Sequence, residues 1–283
     1  METTDFNSDD PVAWCPGCGN FGIQGAVKLA LAKLGKEPRE LLFVSGIGQA
    51  AKLPHYIKAN FFNGLHGRAL PAAAAAKIAN NELTVIVTTG DGDCYGEGGN
   101  HFLHNIRRNV NMTVIVHDNQ IYGLTKGQAS PTSDPGTTTK IQPNGVILGA
   151  FHPLEAALAL GCGFIARGYA PEKEHLAELI LAGINHKGFA LIDVLQPCVS
   201  FNKVNTYEWY AKRVYKLAGD YNPSDRVAAQ AKAAEWGDRI PIGIIYKAGG
   251  PSYGELSGLD KMKPLVDAEI SNIDIGPAFK DFY

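Results

Sequence analysis

The chain has 283 residues, of which 45% are apolar, and a formal net charge of −2. That composition suffices for one large domain with a substantial core, and the near-neutral charge gives no reason to expect nucleic acid or an anionic membrane as partner. No apolar run approaches the roughly 20 residues that span a bilayer, and the acidic start is unlike a signal peptide, so we expect a cytoplasmic protein.

Short β-branched segments alternate with segments rich in Ala and Leu along the first 200 residues. The predicted strands are residues 41–45, 83–88, 112–117, 163–169 and 189–195. The predicted helices are residues 21–34, 70–79, 101–108, 153–160 and 172–186. The strands are apolar without alternation, which is typical of a parallel sheet covered on both faces. This order predicts a doubly wound α/β fold with ligands beyond the carboxyl ends of the strands.

Two long segments lack this pattern. Residues 126–144 are rich in Ser, Thr, Pro and Gly, and a loop of that length is usually functional or mobile. Beyond about residue 202 the chain becomes polar and aromatic. We therefore expect an α/β domain over residues 1–200 and an irregular C-terminal extension over residues 201–283, which contacts a neighbouring subunit or forms a solvated tail.

The strongest motif, Gly90-Asp-Gly-Asp93, follows the second predicted strand. Glycines let backbone amides approach an anion, and a following helix start favours negative charge. A further strand ends near Asn119, 28 residues after Asp91. Adjacent parallel strands would bring both residues to one sheet edge, where Mg²⁺ could bind a carboxylate, an amide, a carbonyl and diphosphate oxygens. Two ordinary turns are the alternative, and the paired spacing favours the metal–diphosphate site.

Gly90-Asp-Gly with Asn119 resembles the thiamine diphosphate motif of transketolases, 2-oxoacid decarboxylases and 2-oxoacid oxidoreductases. That resemblance makes Asp91, the Asn119 side chain and the Ile121 carbonyl the Mg²⁺ ligands. A narrower resemblance covers roughly residues 12–215 and points to the β subunits of archaeal-type 2-oxoacid:ferredoxin oxidoreductases. It rests on six segments: Trp14-Cys-Pro-Gly-Cys-Gly-Asn20, Val44-Ser-Gly-Ile-Gly48, Leu65-His-Gly-Arg68, Arg107-Arg-Asn109, Tyr122-Gly-Leu-Thr-Lys-Gly-Gln-Ala-Ser-Pro-Thr132 and Gln196-Pro-Cys-Val-Ser-Phe-Asn202.

The segment Gly46-Ile-Gly-Gln-Ala-Ala51 imitates a dinucleotide-binding fingerprint, which requires an acidic residue about 20 positions later. No Asp or Glu lies between Glu40 and Glu82, so a nicotinamide cofactor is disfavoured. We expect thiamine diphosphate instead. The expected cofactor contacts are Ile47, Gly48, Gln49, His66, Gly90, Asp91, Gly92, Asp93, Asn119, Ile121, Tyr122, Gly123 and Leu124.

Cys15 and Cys18 flank a Pro-Gly turn that directs both thiols toward one point, as metal and cluster sites require. In the resembled family two further cysteines complete a [4Fe–4S] site. Cys198 matches one of them, but Gln49 stands at the other, and an amide oxygen is a poor substitute for a thiolate on iron. Three outcomes remain open: a cluster with an unusual fourth ligand, participation of Cys94, or no cluster. We favour a cluster.

The resemblance implies oxidative decarboxylation of a 2-oxoacid, such as pyruvate or 2-oxoglutarate, to acyl-CoA and CO₂, with electrons passing to ferredoxin. The implied cofactors are thiamine diphosphate, Mg²⁺ and a [4Fe–4S] cluster, and an α or fused γα subunit would complete the active site. Lys126 is the candidate catalytic residue, offering charge to the substrate carboxylate or to coenzyme A, although it could equally be a solvated loop lysine. The alternatives are a cluster-free, non-oxidative thiamine-dependent decarboxylase subunit and a non-catalytic assembly subunit.

Overall fold

The structure is a computed structural model, and it describes residues 1–269, 271, 273–280 and 282. The strands are β1 (Leu41–Ser45), β2 (Asn60–Asn63), β3 (Thr84–Gly90), β4 (Met112–Asp118), β5 (Ile121–Tyr122), β6 (Gln128–Ala129), β7 (Phe164–Tyr169), β8 (Phe189–Leu195), β9 (Val214–Lys216) and β10 (Ile240–Lys247). The helices are α1 (Asn20–Leu34), α2 (Ala69–Ala79), α3 (Gly99–Arg108), α4 (Pro153–Ala159), α5 (Lys173–Ile184), α6 (Tyr207–Ala211), α7 (Arg226–Ala234), α8 (Tyr253–Ser257) and α9 (Gly276–Lys280). A π-helical turn spans Gly92–Glu97, and 3-10 turns span Thr3–Phe6, Pro38–Glu40, Ala50–Tyr56, Leu259–Lys261 and Leu265–Asp267.

Eight of the strands form one sheet in the order β2-β1-β3-β4-β8-β7-β10-β9, and β5 pairs with β6 in a separate hairpin. All neighbours in the large sheet are parallel except β10 and β7. The predicted strands and helices all form, and their ends differ from the prediction by at most two residues. The doubly wound α/β prediction is confirmed.

Successive strand residues point to opposite sides of the sheet, and helices cover both sides, so both faces are buried. Val85 and Val87 of β3 belong to one apolar cluster, which includes Phe102 of α3. Ile86 of the same strand belongs to a second cluster, which includes Ala26 of α1. Continuous apolar strands are therefore needed to supply a core on each face, as the sequence pattern indicated.

The C-terminal segment corrects the expected irregular extension over residues 201–283. Strands β9 and β10 join the main sheet, and β10 pairs with β7. Pro241 and Gly243 obscured this strand because both residues are disfavoured in strand interiors. Gly243 has a φ of +140°, and the register with β7 shifts between Ile244 and Tyr246. The division at residue 200 stays a prediction, but strands from both sides of it share one sheet.

In the portion of the chain described, no helix combines the length and apolar character needed to cross a membrane.

Replacing Phe43 by Ala tests the buried core. Phe43 is fully buried in β1, whereas Phe62 in the neighbouring strand β2 is 53% exposed. We expect Phe43→Ala to lower the free energy of unfolding by about 3–5 kcal/mol, and Phe62→Ala by less than about 0.5 kcal/mol. Urea denaturation followed by circular dichroism measures both, and equal losses in the two variants would contradict the assignment of the core.

Candidate functional site

The neighbouring strands β3 and β4 end side by side, with Gly90 paired to His117. The residues that follow, Asp91 and Asn119, consequently lie at the same edge of the sheet. There they line a single cleft containing about 500 Å³ of empty space, open solvent included. All of the expected cofactor contacts lie in this cleft, together with Ala50 and Thr125: Ile47, Gly48, Gln49, His66, Gly90, Asp91, Gly92, Asp93, Asn119, Ile121, Tyr122, Gly123 and Leu124.

Asp91 is almost fully buried, and two hydroxyl groups hold its carboxylate. Ser130 Oγ and Thr132 Oγ1 both donate to Oδ2, the latter over 2.7 Å. Burial raises the pKa of Asp91, and the hydroxyl donors oppose that shift. No role was predicted for Ser130 or Thr132, although both lie in the last three residues of a segment that carries the family resemblance. The hairpin β5–β6 returns them to the sheet edge, which spacing alone does not reveal.

Asp93 fastens three separate segments around the cleft. Its Oδ1 accepts hydrogen bonds from the backbone amides of Ile47 (3.1 Å) and Gly67 (2.7 Å) and lies 2.6 Å from His66 Nδ1. Its Oδ2 accepts from Thr89 Oγ1 over 2.7 Å. Because a carboxylate only accepts hydrogen bonds, it orients the His66 ring with Nδ1–H toward Asp93. Asp93 thus connects the loops after β1 and β2 to the end of β3.

Tyr122 lines the cleft beside His66, with the two ring centroids 6.2 Å apart. Its hydroxyl donates to Glu97 over 3.1 Å, and the same carboxylate lies 3.5 Å from His66 Nε2. Burial, followed by the Glu97 charge, raises the pKa of Tyr122, which keeps the phenol protonated as a donor. A Cβ atom at Gly92 would overlap the Tyr122 ring, so only glycine permits this approach.

Asn119 is held by both ends of its amide. Oδ1 accepts from the Ile121 backbone over 3.0 Å, and Nδ2 donates to Gln196 Oε1 over 3.1 Å.

Lys126 lies on the exposed turn between β5 and β6 and is not among the residues that line the cleft. Its φ of +85° is a left-handed conformation, of a kind that clusters at functional sites. Its catalytic role stays a prediction.

A second cavity, here called the cysteine cavity, is lined by Cys15, Cys18, Cys198 and Gln49. It shares Gln49, Asn119 and Gly123 with the cleft. All five cysteines of the chain are free thiols. Cys94 packs in the hydrophobic core and is not among the residues that line the cysteine cavity.

The three sulfur atoms of the cysteine cavity each accept a hydrogen bond. The pairs are Ser200 Oγ to Cys15 Sγ (3.1 Å), Gln196 Nε2 to Cys18 Sγ (3.4 Å) and the Phe201 amide to Cys198 Sγ (3.5 Å). Burial raises the pKa of the Cys18 thiol to about 11, and the neighbouring Cys198 and Cys15 sulfurs add to that shift. Without a bound cation, this thiol is therefore protonated at neutral pH.

Within residues 1–269, 271, 273–280 and 282, no three or more His, Cys, Asp and Glu side chains are grouped closely enough to hold a single metal ion. A magnesium site built on Asp91, Asn119 and the Ile121 carbonyl uses only one such side chain. In an iron–sulfur cluster each thiolate binds a different iron, so the thiolates lie farther apart than around one ion. The magnesium and cluster ligand sets stay predictions; the donor types suit them, with carboxylate and amide oxygens lining the cleft and three thiols lining one cavity.

Further buried charges lie behind the cleft. Asp193 accepts a hydrogen bond from Tyr95 over 2.7 Å. Burial raises the pKa of Asp193 to about 6, and the buried Arg167 guanidinium opposes that shift. The Thr132 hydroxyl, which contacts Asp91, also lies 2.8 Å from Asp118 Oδ1 and so connects the two carboxyl groups. These residues were not predicted because their polar partners come from distant strands.

The fold and the cleft define a thiamine-diphosphate-dependent enzyme. Residues 43–194 match the family of thiamine pyrophosphate enzymes over its C-terminal TPP-binding domain, and residues 198–259 match the C-terminal region of the pyruvate ferredoxin oxidoreductase beta chain family. The chain belongs to the β subunits of the 2-oxoacid:ferredoxin oxidoreductases, which confirms the resemblance found in the sequence.

Similar proteins support this assignment over most of the chain. The 2-oxoacid:ferredoxin oxidoreductase β subunit of a Sulfolobus species is 48% identical over 256 residues, which are 86% of this chain and 84% of the relative. The β subunit from Saccharolobus solfataricus is 50% identical over 249 residues, covering 83% and 81%. A similar solved structure is the 2-oxoglutarate:ferredoxin oxidoreductase of Magnetococcus marinus with 2-oxoglutarate, coenzyme A and succinyl-CoA bound. It has a TM-score of 0.92 and 36% sequence identity to this chain, and the match covers 99% of this chain and 95% of that chain.

Replacing Asp93 by Asn tests whether this residue shapes the cleft. The Asn side chain lacks the negative charge that binds two backbone amides, the His66 ring and the Thr89 hydroxyl. Hydrogen bonds to charged groups contribute about 1.5–3 kcal/mol. We expect the Kd for thiamine diphosphate to rise by about 10- to 100-fold, measured by titration calorimetry with Mg²⁺ present. Asp220→Asn is the matched control because Asp220 is exposed. An unchanged Kd in Asp93→Asn would show that the cleft does not depend on this residue.

Proposed function

We propose that this chain is the cofactor-binding subunit of a complex that oxidatively decarboxylates a 2-oxoacid. The complex converts 2-oxoacid, coenzyme A and two oxidised ferredoxins into acyl-CoA, CO₂, a proton and two reduced ferredoxins. The observation that carries the proposal is the single cleft in which every expected cofactor contact meets, at the ends of the paired strands β3 and β4.

Asp91, Asn119 and the Ile121 carbonyl would hold the Mg²⁺ ion that binds the diphosphate. Carboxylate, amide and carbonyl oxygens are the ligands that Mg²⁺ prefers, with diphosphate oxygens completing the octahedron. The hydroxyls of Ser130 and Thr132 both donate to Oδ2 of Asp91, which orients the carboxylate and leaves Oδ1 for the cation.

Bound thiamine diphosphate supplies the nucleophilic carbon and the electron sink that decarboxylation requires. The chain itself positions the cofactor and encloses it. Asp93 orients His66, and Glu97 holds the hydroxyl of the neighbouring Tyr122. Both ring systems are thereby fixed before the cofactor binds, which reduces the entropy lost on binding.

Cys15, Cys18 and Cys198 would hold an iron–sulfur cluster, which supplies one-electron transfer. Hydrogen bonds to each sulfur suit thiolate ligands and tune a cluster's potential. The cysteine cavity shares Gln49, Asn119 and Gly123 with the cleft, and an electron carrier has to lie close to the cofactor in this way. The free thiols support a reducing, cytoplasmic setting.

An α subunit, or a fused γα subunit, would cover the cleft and complete the active site. Ile47 and Leu124 line the cleft and are 36% and 41% exposed, and the nearby Leu65 is 75% exposed. Exposed apolar groups around an active-site cleft are typical of a protein interface. The β-subunit names of the relatives also support such a partner.

Gln49 specifically favours one other function, that of a cluster-free, non-oxidative thiamine-dependent decarboxylase subunit. Iron and acid-labile sulfide in the complex with its partner subunit, purified without oxygen, separate the two functions. About four irons per chain support the ferredoxin-linked reaction, whereas bound thiamine diphosphate without iron supports the alternative. Failure of the complex to bind thiamine diphosphate with Mg²⁺ would leave the non-catalytic assembly role.

Replacing Asp91 by Asn tests the proposed reaction through its metal ligand. Loss of the carboxylate should weaken Mg²⁺-dependent thiamine diphosphate binding by about 100-fold or more, since even outer-shell changes cost 10- to 100-fold. Reduction of ferredoxin by the complex, dependent on 2-oxoacid and coenzyme A, should fall in parallel. Asp9→Asn, at an exposed position, serves as control and should behave as the wild type. Full activity in Asp91→Asn would refute the assigned magnesium site.

Replacing Lys126 by Ala tests its proposed charge interaction with the 2-oxoacid carboxylate or a coenzyme A phosphate. We expect kcat/KM for one of these substrates to fall by about tenfold, the loss expected for one charge-assisted contact of about 1.4 kcal/mol. Steady-state kinetics of the complex identify which substrate is affected. Lys140, exposed in the same long loop, gives the matched control Lys140→Ala. Equal kinetics in both variants would assign Lys126 to the solvated surface.

A further inference from the structure

The side chain of Gln49 stands at the wall between the cysteine cavity and the cleft. Its backbone carbonyl accepts a hydrogen bond from Trp14 Nε1 over 2.9 Å, which ties it to the segment that carries Cys15 and Cys18. Its side-chain Oε1 is enclosed and has no hydrogen-bond partner among the described residues. A buried oxygen without a partner is unfavourable, and a bound cation would satisfy it.

The other side-chain oxygens of the cysteine cavity each make a hydrogen bond. They are Asn20 Oδ1 with His117 Nδ1, Asn119 Oδ1 with the Ile121 amide, Gln196 Oε1 with Asn119 Nδ2, and Ser200 Oγ with Cys15 Sγ. Within the part of the chain that the structure describes, Gln49 Oε1 is therefore the side-chain oxygen of this cavity that makes no hydrogen bond.

We propose that Gln49 occupies the fourth corner of the iron–sulfur cluster, with Oε1 at the iron that has no thiolate ligand. This inference rests on the proposed function, in which Cys15, Cys18 and Cys198 hold the other three irons. Because Gln49 lines both cavities, it would hold that iron at the wall shared with the cofactor cleft.

Two properties follow from the chemistry of the ligand. A neutral amide oxygen binds iron more weakly than a thiolate does, so the fourth iron exchanges with solution. The site also carries one negative charge fewer than a four-thiolate site. Since net charge is one of the factors that set a cluster's potential, the cluster accepts an electron more readily than a four-thiolate cluster in the same cavity.

Mild oxidation exposes the distinct iron. The [4Fe–4S]²⁺ cluster gives one electron to ferricyanide and releases one Fe²⁺ ion, leaving [3Fe–4S]⁺ on Cys15, Cys18 and Cys198 while ferricyanide becomes ferrocyanide. Dithionite and added Fe²⁺ reverse the change. In a four-thiolate cluster the same treatment has to break an iron–thiolate bond.

The test compares the wild-type complex with Gln49→Cys, prepared without oxygen. Iron and sulfide are counted, and electron paramagnetic resonance spectra are recorded, after ferricyanide and again after Fe²⁺ with dithionite. We expect the wild type to lose and regain about one iron per cluster and to show the three-iron signal between the two steps. Gln49→Cys should retain all of its iron, and redox titration should place its potential below that of the wild type.

Two further variants keep the test decisive if Gln49→Cys fails to fold. Gln49→Glu preserves the size of the side chain and adds a charged oxygen, so it should hold the fourth iron more tightly than the wild type. Ser200→Ala removes the hydrogen bond to Cys15 Sγ, so the potential of its cluster should shift, but it should still lose and regain about one iron per cluster. Altered iron exchange in Ser200→Ala with unchanged exchange in Gln49→Glu would assign the corner to Ser200 and overturn the proposal.

The remaining outcomes separate this proposal from the proposed function. A wild-type cluster that resists ferricyanide as well as Gln49→Cys does would overturn the role of Gln49 alone. Iron in Gln49→Cys but none in the wild type would do the same, and would show that the chain has lost its cluster through this residue. Absence of iron from both, with thiamine diphosphate bound, would instead refute the ferredoxin-linked reaction.

Discussion

The parallel pairing of β3 with β4 is the constraint on which the rest of the site depends. Their registered ends place Asp91 and Asn119 at one edge, and the loops that leave that edge form every wall of the cleft. Parallel strands can be neighbours only when a crossover connects them. Helix α3 supplies this crossover and begins directly after the glycine-rich turn. A diphosphate site at the start of that crossover is thus a consequence of the topology.

Buried carboxylates at the strand ends make the site costly to fold. Asp91, Asp93, Asp118 and Asp193 are all buried, and burying a charge without partners is strongly unfavourable. The structure offsets this cost by surrounding them with hydroxyls, backbone amides and one guanidinium. The hydroxyl of Thr132 alone contacts two of them, Asp91 and Asp118. A site that binds a divalent cation therefore also gains stability from the cation.

The sequence was most informative where local chemistry determines structure. Apolar runs located the central strands, and the spacing from Asp91 to Asn119 predicted their common edge, since both signals lie within one β-strand–helix–strand unit. Asp93 was expected only as a cofactor neighbour. Its role in joining the loops at Ile47 and Gly67 depends on contacts 26 and 46 positions away, which no local pattern encodes. Strand β10 was missed because its proline and glycine are poor strand formers that tertiary pairing overrides.

The shared wall between the two cavities has a thermodynamic consequence. Gln49, Asn119 and Gly123 each face both the cofactor cleft and the cysteine cavity, so a ligand that orders this wall from one side alters the free energy of binding on the other. Such coupling is reciprocal: whatever factor the cofactor contributes to retention of the inorganic group, that group contributes equally to retention of the cofactor. For thiamine diphosphate and the proposed cluster, the order of binding is then irrelevant to the final stability, and binding of either one changes the affinity for the other by the same factor.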